Sequence, residues 1–502
     1  MPIVFHGWSK IPVTGMIAIM MAIILAGTSG TANAETYHVS PHGSDENPGT
    51  SEKTAWKTPE RVNRQVLRPG DRVLFQRGGR FTGQLAPQGS GALVDGKPVP
   101  VVIGSYGKGS PPRIDGEGKV LDTILVRNCE FLEIRDLEVT NQGPEREVNR
   151  TGIRLLADSA GAVRHLRLCN LFVHDVNSDL RKSHEGHGIL FESRGNGHFD
   201  GLAIEDCRLL RTDRNGICGL AQGGARSRKV VIRGNLLEDI GGDGIKPWGC
   251  DAPLVEHNRL KDGRTRCEDY AAGIWPWDCD DAVIQFNEVS GMRGDKDGQS
   301  FDSDARCRRS VFQYNYSHDN EGGFMLVCAY RDAYCEGTVI RYNISLNDGI
   351  KSARVFHLGG PVRDTHIYNN TIHIGPHQDL PLCLFTEYEG WTDGTRFANN
   401  LVIVEGRVRF VFGKSTGNVF ENNVVYGKLE GAPAGIEVRE GPPPLARPGS
   451  SGEGFKSLDG YRLKKGSDLP GIVIPDCGPR DFFGNPIPAS RQRSIGADQG
   501  KR

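Results

Sequence analysis

A short pattern, apolar-x-x-Asn-x-apolar, recurs eight times along this 502-residue chain. Successive copies lie 23 to 30 residues apart, and in the upstream segments "LRLCNL" and "IEDCRL" Cys169 and Cys207 take the place of the asparagine. This interval is typical of solenoids, in which each repeat forms one coil that packs only on its neighbours. The asparagines are Asn235, Asn258, Asn287, Asn315, Asn343, Asn370, Asn400 and Asn423.

The repeats consist of short segments rich in Val, Ile, Phe and Tyr, separated by Gly, Asn and Asp. None carries a 3.6-residue apolar period long enough for a crossover helix, which excludes a Rossmann fold and an α/β barrel. Parallel strands about 4.8 Å apart would bury alternate apolar side chains and let the asparagines form a hydrogen-bonded ladder inside a turn. The sequence therefore predicts an all-β fold, a parallel β-helix solenoid with an N-terminal cap and a C-terminal tail.

Two longer segments extend this interpretation. The opening "YHVSPHGSDENPGT" with "LRPGDRVLFQRGGRFTGQL", and the central "DGQSFDSDARCRRSVFQYNYSHDNEGGFMLV", are similar to exported bacterial proteins of the pectin-lyase-like superfamily that degrade polysaccharides. The second segment resembles the central repeat of a glycosidase-like group, and the resemblance covers roughly residues 36–430. It implies a right-handed parallel β-helix and a carbohydrate substrate, and it leaves the reaction open.

The chain is predicted to divide into four segments. Residues 1–34 have the features of a signal peptide, with the apolar run "MIAIMMAIILAG" and a small-x-small cleavage site ending at Ala34. Residues 35–125 are expected to form the N-terminal cap and first coils, and residues 126–430 the parallel β-helix. Residues 431–502 begin as a Pro/Gly/Ser linker and are predicted to cap the open end of the solenoid.

The composition limits the kinds of partner that the mature protein is expected to bind. The chain has 61 Lys and Arg against 62 Asp and Glu, a net charge of −1, so it offers no basic surface for nucleic acid. Its twelve cysteines include no CxxC pair for structural zinc, and an oxidising compartment would permit disulfides among them. We expect a monomer, secreted or periplasmic, without a membrane span.

Strands aligned on a glycine in six successive repeats predict one outer face. The strands are "GILFE", "GICGL", "GIKPW", "GIWPW", "GQSFD" and "GFMLV". Side chains alternate along a strand, so Phe301 and Leu326 should point inward and the alternate positions should be exposed. The exposed positions form two columns, Lys246 with Trp275 and Ser300, and Trp248 with Trp277 and Asp302.

Tryptophan beside carboxylate suits a sugar-binding groove, because the C–H faces of a sugar pack on an indole while polar groups receive its hydroxyls. Trp248, Trp275 and Trp277 are therefore candidate substrate-binding residues, although packing beneath a long loop would equally explain them. His318 and Glu321, from the loop after the next asparagine, are further candidates. A hydrogen bond within the turn is the alternative role of His318.

The segment "GDKDGQSFDSD" concentrates carboxylates in a nearly neutral chain. Asp302 and Asp304 are two residues apart in a strand and should share a face about 6.5–7 Å apart, close enough for one to act as a general acid while the other activates water. Asp297 and Asp243 are candidate replacement partners, and Asp295 is a further one. For each of these last three, turn formation is favoured over catalysis, with one of them completing the site as the alternative.

Three functions remain open from the residues. A glycoside hydrolase would use Asp302 and Asp304. A polysaccharide lyase would use Lys246 as the base that removes a proton beside a uronate carboxylate. A non-catalytic carbohydrate-binding solenoid would use the tryptophans for binding and the aspartates to hold calcium. No cofactor is required for the first function, and Ca²⁺ is an alternative use of the aspartates.

Overall fold

The computed structural model describes residues 34–159, 161–294, 296–351, 354–467, 469–487 and 493–500. Residues 1–33 of the predicted signal peptide and the candidate Asp295 lie outside these ranges. Within them, the chain winds through successive coils whose strands pair in parallel and in register with those of the next coil. This confirms the predicted parallel β-helix.

Three stacks of strands form the faces of the solenoid. The first stack precedes the asparagine turn and comprises Thr36–Val39, Arg72–Gln76, Val101–Tyr106, Leu132–Arg135, Gly161–Cys169, Gly197–Glu205, Ser227–Arg233, Leu254–Glu256, Val283–Gln285, Val311–Gln313, Val339–Arg341, His366–Tyr368, Arg396–Ala398 and Val419–Glu421. The second stack follows that turn and comprises Arg80–Thr82, Arg113–Asp115, Glu138–Asn141, Phe172–Val176, Arg208–Thr212, Leu236–Ile240, Arg259–Lys261, Glu288–Ser290, Tyr316–His318, Ile344–Leu346, Thr371–Ile374, Leu401–Val411, Asn423–Glu430 and Ile436–Arg439.

The third stack carries the candidate site. It comprises Asp122–Arg127, Thr151–Ala157, His187–Gly195, Asn215–Gly223, Ile245–Lys246, Gln299–Ser303, Gly323–Cys328, Phe356–Gly359 and Asp379–Thr386. Single bridges from Ile245 to Ile274 and from Ile274 to Phe301 connect its two halves. Because these coils lie in register, residues far apart in the chain come to stand side by side on this face.

The remaining elements are short. The α-helix Pro59–Asn63 places Val62 in the core, and the 3-10 turns are Glu52–Thr54, Lys182–His184 and Phe455–Tyr461. The other strands are Val66–Leu67, Gln88–Gly89, Ala92–Val94, Lys97–Val99, Cys250–Asp251, Cys307–Arg308, Cys335–Glu336, Val362–Arg363, Pro470–Gly471 and Arg493–Ser494. Among the described residues, no helix reaches the length and apolarity that a membrane crossing requires.

The asparagine ladder forms as predicted. Asn315 Nδ2 donates to Asn343 Oδ1 at 3.1 Å and to the Ile284 carbonyl at 2.9 Å. Its Oδ1 accepts from the backbone N–H of Asn287 at 3.0 Å and from Asn287 Nδ2 at 3.1 Å. The same contacts repeat from Asn235 to Asn423, and each of these side chains is buried. The ladder thereby satisfies backbone groups at the turn, which would be costly to leave unpaired.

One position in the ladder was predicted wrongly. Cys207 takes the expected place, because its backbone N–H donates to Asn235 Oδ1. Cys169 pairs with Glu205, which lies two residues before Cys207 in the next coil. Leu171, and not Cys169, therefore stands at the level of Cys207. The disulfides that an oxidising compartment would permit do not form, since all twelve cysteines are free in the described chain.

The C-terminal segment packs along the flank of the coils. Leu458, Tyr461 and Phe482 join a second apolar cluster with tyrosines from successive coils. Tyr314 donates its hydroxyl hydrogen bond to the Arg480 carbonyl at 2.9 Å. The C-terminal segment therefore buries the tyrosine side chains that lie beside the ladder asparagines.

Candidate active site

A cavity of 640 Å³, called here the first cavity, opens on the outer side of the third stack. It gathers seven of the ten predicted site residues, Asp297, Asp302, Asp304, Lys246, Trp248, Trp275 and Trp277. The indoles of Trp248 and Trp277 lie 5.7 Å apart between ring centroids, and Trp277 lies 5.8 Å from the ring of Tyr330. These rings give the cavity an aromatic wall beside its carboxylates.

The predicted strand register was wrong at two positions. Phe301 pairs with Met325, so Leu326 stands beside Asp302 and lines the cavity, while Met325 packs in the core. Ser300 points into the solenoid, where its hydroxyl accepts from Asn320 Nδ2 at 2.9 Å. Asp302 therefore takes the place predicted for Ser300.

The cause of this error is a glycine. Gly298 has a φ of +83° and turns the chain before the strand, and Gln299 starts the strand after it. Gly273 bonds through its N–H to the carbonyl of Gln299, so the two glycines do not occupy equivalent positions. A glycine at positive φ is a turn residue, which a sequence alignment on glycine does not distinguish from a strand residue.

The carboxylates are buried, whereas the sequence predicted an exposed face. Asp302 is 3% exposed and Asp304 is 8% exposed. Loop residues that follow the strands, Tyr270, Tyr330 and Tyr388, complete the wall around them. Because a low-dielectric surrounding disfavours a charged carboxylate, burial is expected to change the protonation of this group of acids.

Burial raises the pKa of all three acids. The pKa of Asp297 rises to about 6. Burial, followed by the charges of Asp304 and Asp297, raises the pKa of Asp302 well above its usual value. Asp302 Oδ1 also has no hydrogen-bond partner among the described residues. The neutral form of Asp302 is therefore favoured.

Asp304 is the acid whose charged form is best supported. Burial raises its pKa as well, but its Oδ1 accepts a hydrogen bond from the backbone N–H of Ala305 at 2.6 Å and from Cys328 Sγ at 3.1 Å, and both lower the pKa. An oxygen of Asp304 and an oxygen of Asp302 lie within 4.8 Å of each other. Within this pair, Asp302 is suited to hold a proton and Asp304 to be ionised.

The raised pKa of Asp297 predicts a pH-dependent stability. Its pKa is 3.8 in an unfolded chain and about 6 in the fold, so between these values the folded state retains a proton that the unfolded state releases. The free energy of unfolding should therefore fall as pH rises from about 4 to 6, by about 3 kcal/mol in total. Asp297→Asn should lose this component and be more stable than wild type at pH 7. Urea unfolding of both proteins across pH 4–7 would test it, and parallel curves would contradict it.

Lys246 is not suited to the role of a lyase base. Its Nζ lies 3.1 Å from Glu185 Oε2. Burial alone would lower the pKa of Lys246, but the Glu185 carboxylate outweighs it and the pKa is raised. The ammonium group also lies 5.3 Å from the ring of Trp275. Lys246 is therefore a permanent cation, and a general base must be unprotonated near the working pH.

Three predicted site residues lie elsewhere. Asp243 is fully buried behind the cavity, where its Oδ1 accepts from Trp275 Nε1 at 3.0 Å, so it orients that indole. His318 belongs to the second stack, where its Nε2 lies 3.2 Å from Glu288 Oε1. The same oxygen accepts a hydrogen bond from the backbone N–H of Gly454 in the C-terminal segment. Glu321 pairs with Lys351 at 2.7 Å.

Sequence reasoning missed several residues of the cavity. Glu185 lies in "SHEGHG", a segment whose residue spacing matches no metal-binding or catalytic motif. Cys328 ends the strand that begins with "GFMLV", and Tyr330 lies just after it. With Leu326 on the outer face, the alternation of side chains would have placed Cys328 and Tyr330 on that face too. Tyr388 comes from a loop after a later strand, and no sequence signal places it here.

Among the described residues, the group of possible metal ligands around the aspartates includes a thiol. One atom each of Asp302, Asp304 and Cys328 lie within 4.8 Å of one another. Calcium takes six to eight oxygen ligands, and a thiol is a poor partner for a hard cation. Burial also raises the pKa of Cys328 well above its usual value, which keeps the thiol protonated.

The fold and the site together define a right-handed parallel β-helix protein that carries an aromatic-lined, carboxylate-bearing cavity on one face. The family model described as "Right handed beta helix region" matches residues 187–375, which include most of that cavity. At the level of the fold, this confirms the resemblance that the sequence suggested.

Two lacto-N-biosidases are similar to this chain. The enzyme of Bifidobacterium longum subsp. longum is 27% identical over 452 residues, an alignment that covers 68% of this chain and 28% of that protein. The crystal structure of a GH136 lacto-N-biosidase from Eubacterium ramulus superposes with a TM-score of 0.61 at 26% identity and covers 81% of this chain and 68% of that one. The structure of XylC with xylose, at 12% identity and a TM-score of 0.53, shares the fold. This chain thus spans 28% of the length of the curated relative.

Proposed function

We propose that this chain is a glycoside hydrolase that cleaves a glycosidic bond of an oligosaccharide held in the first cavity. The observation that carries the proposal is the clustering of two buried carboxyl groups, Asp302 and Asp304, with the partly buried Asp297 in an aromatic-lined cavity, with pKa values raised to different extents. A protonated and an ionised carboxyl can then coexist near neutral pH, which acid-assisted cleavage of a glycosidic bond requires. The similarity to two lacto-N-biosidases supports an oligosaccharide as the substrate.

Asp302 is the proton donor and Asp304 the ionised partner in this proposal. Asp302 transfers its proton to the glycosidic oxygen, and the leaving sugar departs as an alcohol while an oxygen of Asp304 bonds to the anomeric carbon. Asp302 then takes a proton from water, which attacks that carbon and releases Asp304. We favour this retaining course because one oxygen of Asp302 and one of Asp304 lie within 4.8 Å of each other. A close pair of carboxyls is typical of retaining enzymes, whereas inverting enzymes hold the two groups farther apart to admit a water.

Asp297 is the third acid of the cavity and the alternative partner of Asp304. We further propose that catalysis needs no calcium, since the donor set includes a thiol, and that the protein is exported through residues 1–34.

Incubation of the mature protein with a panel of oligosaccharides and polysaccharides in EDTA tests the reaction. Hydrolysis should raise the number of reducing ends without a gain in ultraviolet absorbance, and p-nitrophenyl lacto-N-bioside belongs in the panel. A gain in both signals would show elimination by a lyase, and binding without either signal would show a carbohydrate-binding solenoid. Activity that returns only with added calcium would contradict the metal-free mechanism.

A further inference from the structure

A buried arginine lies behind the first cavity and does not line it. The side chain of Arg214 is fully buried. Gly242 leaves room for it, because a Cβ added there would collide with the guanidinium group. An arginine keeps its charge in a protein, so its burial is costly unless acceptors surround it. The partners of Arg214 therefore indicate why it is buried here.

The guanidinium of Arg214 lies between two carboxylates. Its Nη1 lies 3.4 Å from Asp243 Oδ2, and its Nη2 lies 3.2 Å from Asp269 Oδ1. Nη2 also donates a hydrogen bond to the Tyr270 carbonyl at 2.9 Å, and Nη1 donates one to Cys267 Sγ at 3.7 Å. One cation thus connects Asp243 with the segment 265–272, which carries the other three partners.

These partners in turn hold residues that line the first cavity. Asp243 Oδ1 accepts from Trp275 Nε1 at 3.0 Å and from the backbone N–H of Ala272 at 2.9 Å. Asp269 Oδ2 accepts from the backbone N–H of Lys182 at 2.7 Å. Trp275, Lys182 and Tyr270 all line the cavity. Arg214 therefore reaches three residues of the cavity wall, one through Asp243, one through Asp269 and one directly.

The same contacts do not extend to the acids. In the described part of the chain, the hydrogen bonds and ion pairs of Arg214 involve none of Asp297, Asp302 and Asp304. Asp304 is instead held by the backbone N–H of Ala305 and by the thiol of Cys328. A change at Arg214 should therefore affect the wall that contacts the sugar more than the groups that cleave it.

We propose that Arg214 is a positioning residue for substrate binding, which fixes the part of the cavity wall formed by Lys182, Tyr270 and Trp275. The inference rests on the proposed function and deepens it, because it separates the residues that hold the sugar from those that react with it. Arg264 donates to the carbonyls of Glu268 and Asp269 at 3.3 Å and 3.0 Å, so the segment 265–272 keeps a second attachment when Arg214 is replaced.

Arg214→Gln tests this role, because the amide carries no charge and cannot bridge Asp243 and Asp269. On the best substrate of the oligosaccharide panel, we expect KM to rise about ten-fold while kcat stays within about two-fold, the result of losing binding that is equal in the ground state and the transition state. Arg214→Lys keeps the charge but not the planar fork, so its KM should lie between those of wild type and Arg214→Gln. Calorimetry with lacto-N-biose, in the Asp304→Asn background, should show the same order of affinities.

Hydrogen–deuterium exchange gives a measurement that does not depend on a sugar. The backbone amides of residues 265–272 should exchange faster in Arg214→Gln than in wild type. Arg150→Gln is the matched control, since Arg150 is 4% exposed and donates to the carbonyls of Glu145 and Asn177 at 2.7 Å and 2.9 Å, away from the lining of the first cavity. It should leave both KM and the exchange of residues 265–272 unchanged.

The outcomes separate the positioning role from the proposed function. A lower kcat at unchanged KM, an equal rise of KM in the Arg150 variant, or unchanged exchange in residues 265–272 would overturn the role of Arg214. If Arg214→Gln does not fold, the Lys variant decides, and a wild-type KM in that variant would also overturn it. A wild-type protein that binds lacto-N-biose but hydrolyses nothing would overturn the hydrolase, while weaker binding by the Arg214 variants would still support the positioning role.

Discussion

Replacement of Asp304 by Asn is expected to lower kcat by about 10³-fold or more, because the amide cannot supply the charged oxygen that the reaction needs. Asp302→Asn should cause a similar loss on a natural oligosaccharide, since the amide cannot protonate the leaving group. Steady-state kinetics on the best substrate of the panel would measure both effects.

Leaving groups distinguish the two roles. An aryl glycoside with an acidic phenol needs no proton donor in the first step, so Asp302→Asn should release one equivalent of the phenol in a rapid burst, followed by slow turnover because the amide cannot take the proton from water. Asp304→Asn should stay inactive on the same substrate, and Asp304→Ala should regain activity with azide, a small anion that can occupy the space that the carboxylate leaves. If the acidic phenol rescues the Asp304 variant and azide rescues the Asp302 variant, the two roles are exchanged. If neither variant is rescued and Asp297→Asn is, the catalytic role belongs to Asp297.

The matched control is Asp281→Asn. Asp281 lies at the surface, where it bonds to Arg309 at 2.7 Å, and it does not line the first cavity. Its replacement should leave kcat unchanged. A loss there equal to that of Asp304→Asn would show that the assay responds to folding and not to catalysis.

The second large effect is on stability. Asn315→Ala removes four hydrogen bonds of the ladder and leaves the backbone N–H of Asn287 and the carbonyl of Ile284 buried without those partners. We expect the free energy of unfolding to fall by about 3 kcal/mol or more, since each unsatisfied buried group costs about 1–3 kcal/mol. Chemical denaturation followed by circular dichroism would measure the loss.

Asn418→Ala is the control for the ladder. Asn418 makes one side-chain hydrogen bond, from its Nδ2 to Ser415 Oγ at 2.8 Å, and lies in a partly exposed turn. Its replacement should cost well under the loss at Asn315. Similar unfolding midpoints for the two variants would mean that the ladder does not stabilise the coils.

The ladder and the candidate site differ in how far the sequence predicted them. The ladder depends on one residue type at a nearly constant interval, and the buried turn accepts Asn in each coil, so the eight positions indicated both the fold and the contacts. The candidate site depends on where each strand begins after a loop of variable length. Gly298 shifts that start by two residues, which moved Ser300 inward and placed Asp302 at the level of Lys246 and Trp275.

The solenoid, its inner ladder and the presence of carboxylates and indoles on one face could be predicted from the residues, because they follow from periodicity within each repeat. The burial of the aspartates, the pairing of Glu185 with Lys246 and the position of His318 on another face became evident from the folded chain. Those properties arise from contacts between coils and from loops folding over them. Such contacts have no fixed spacing in the chain.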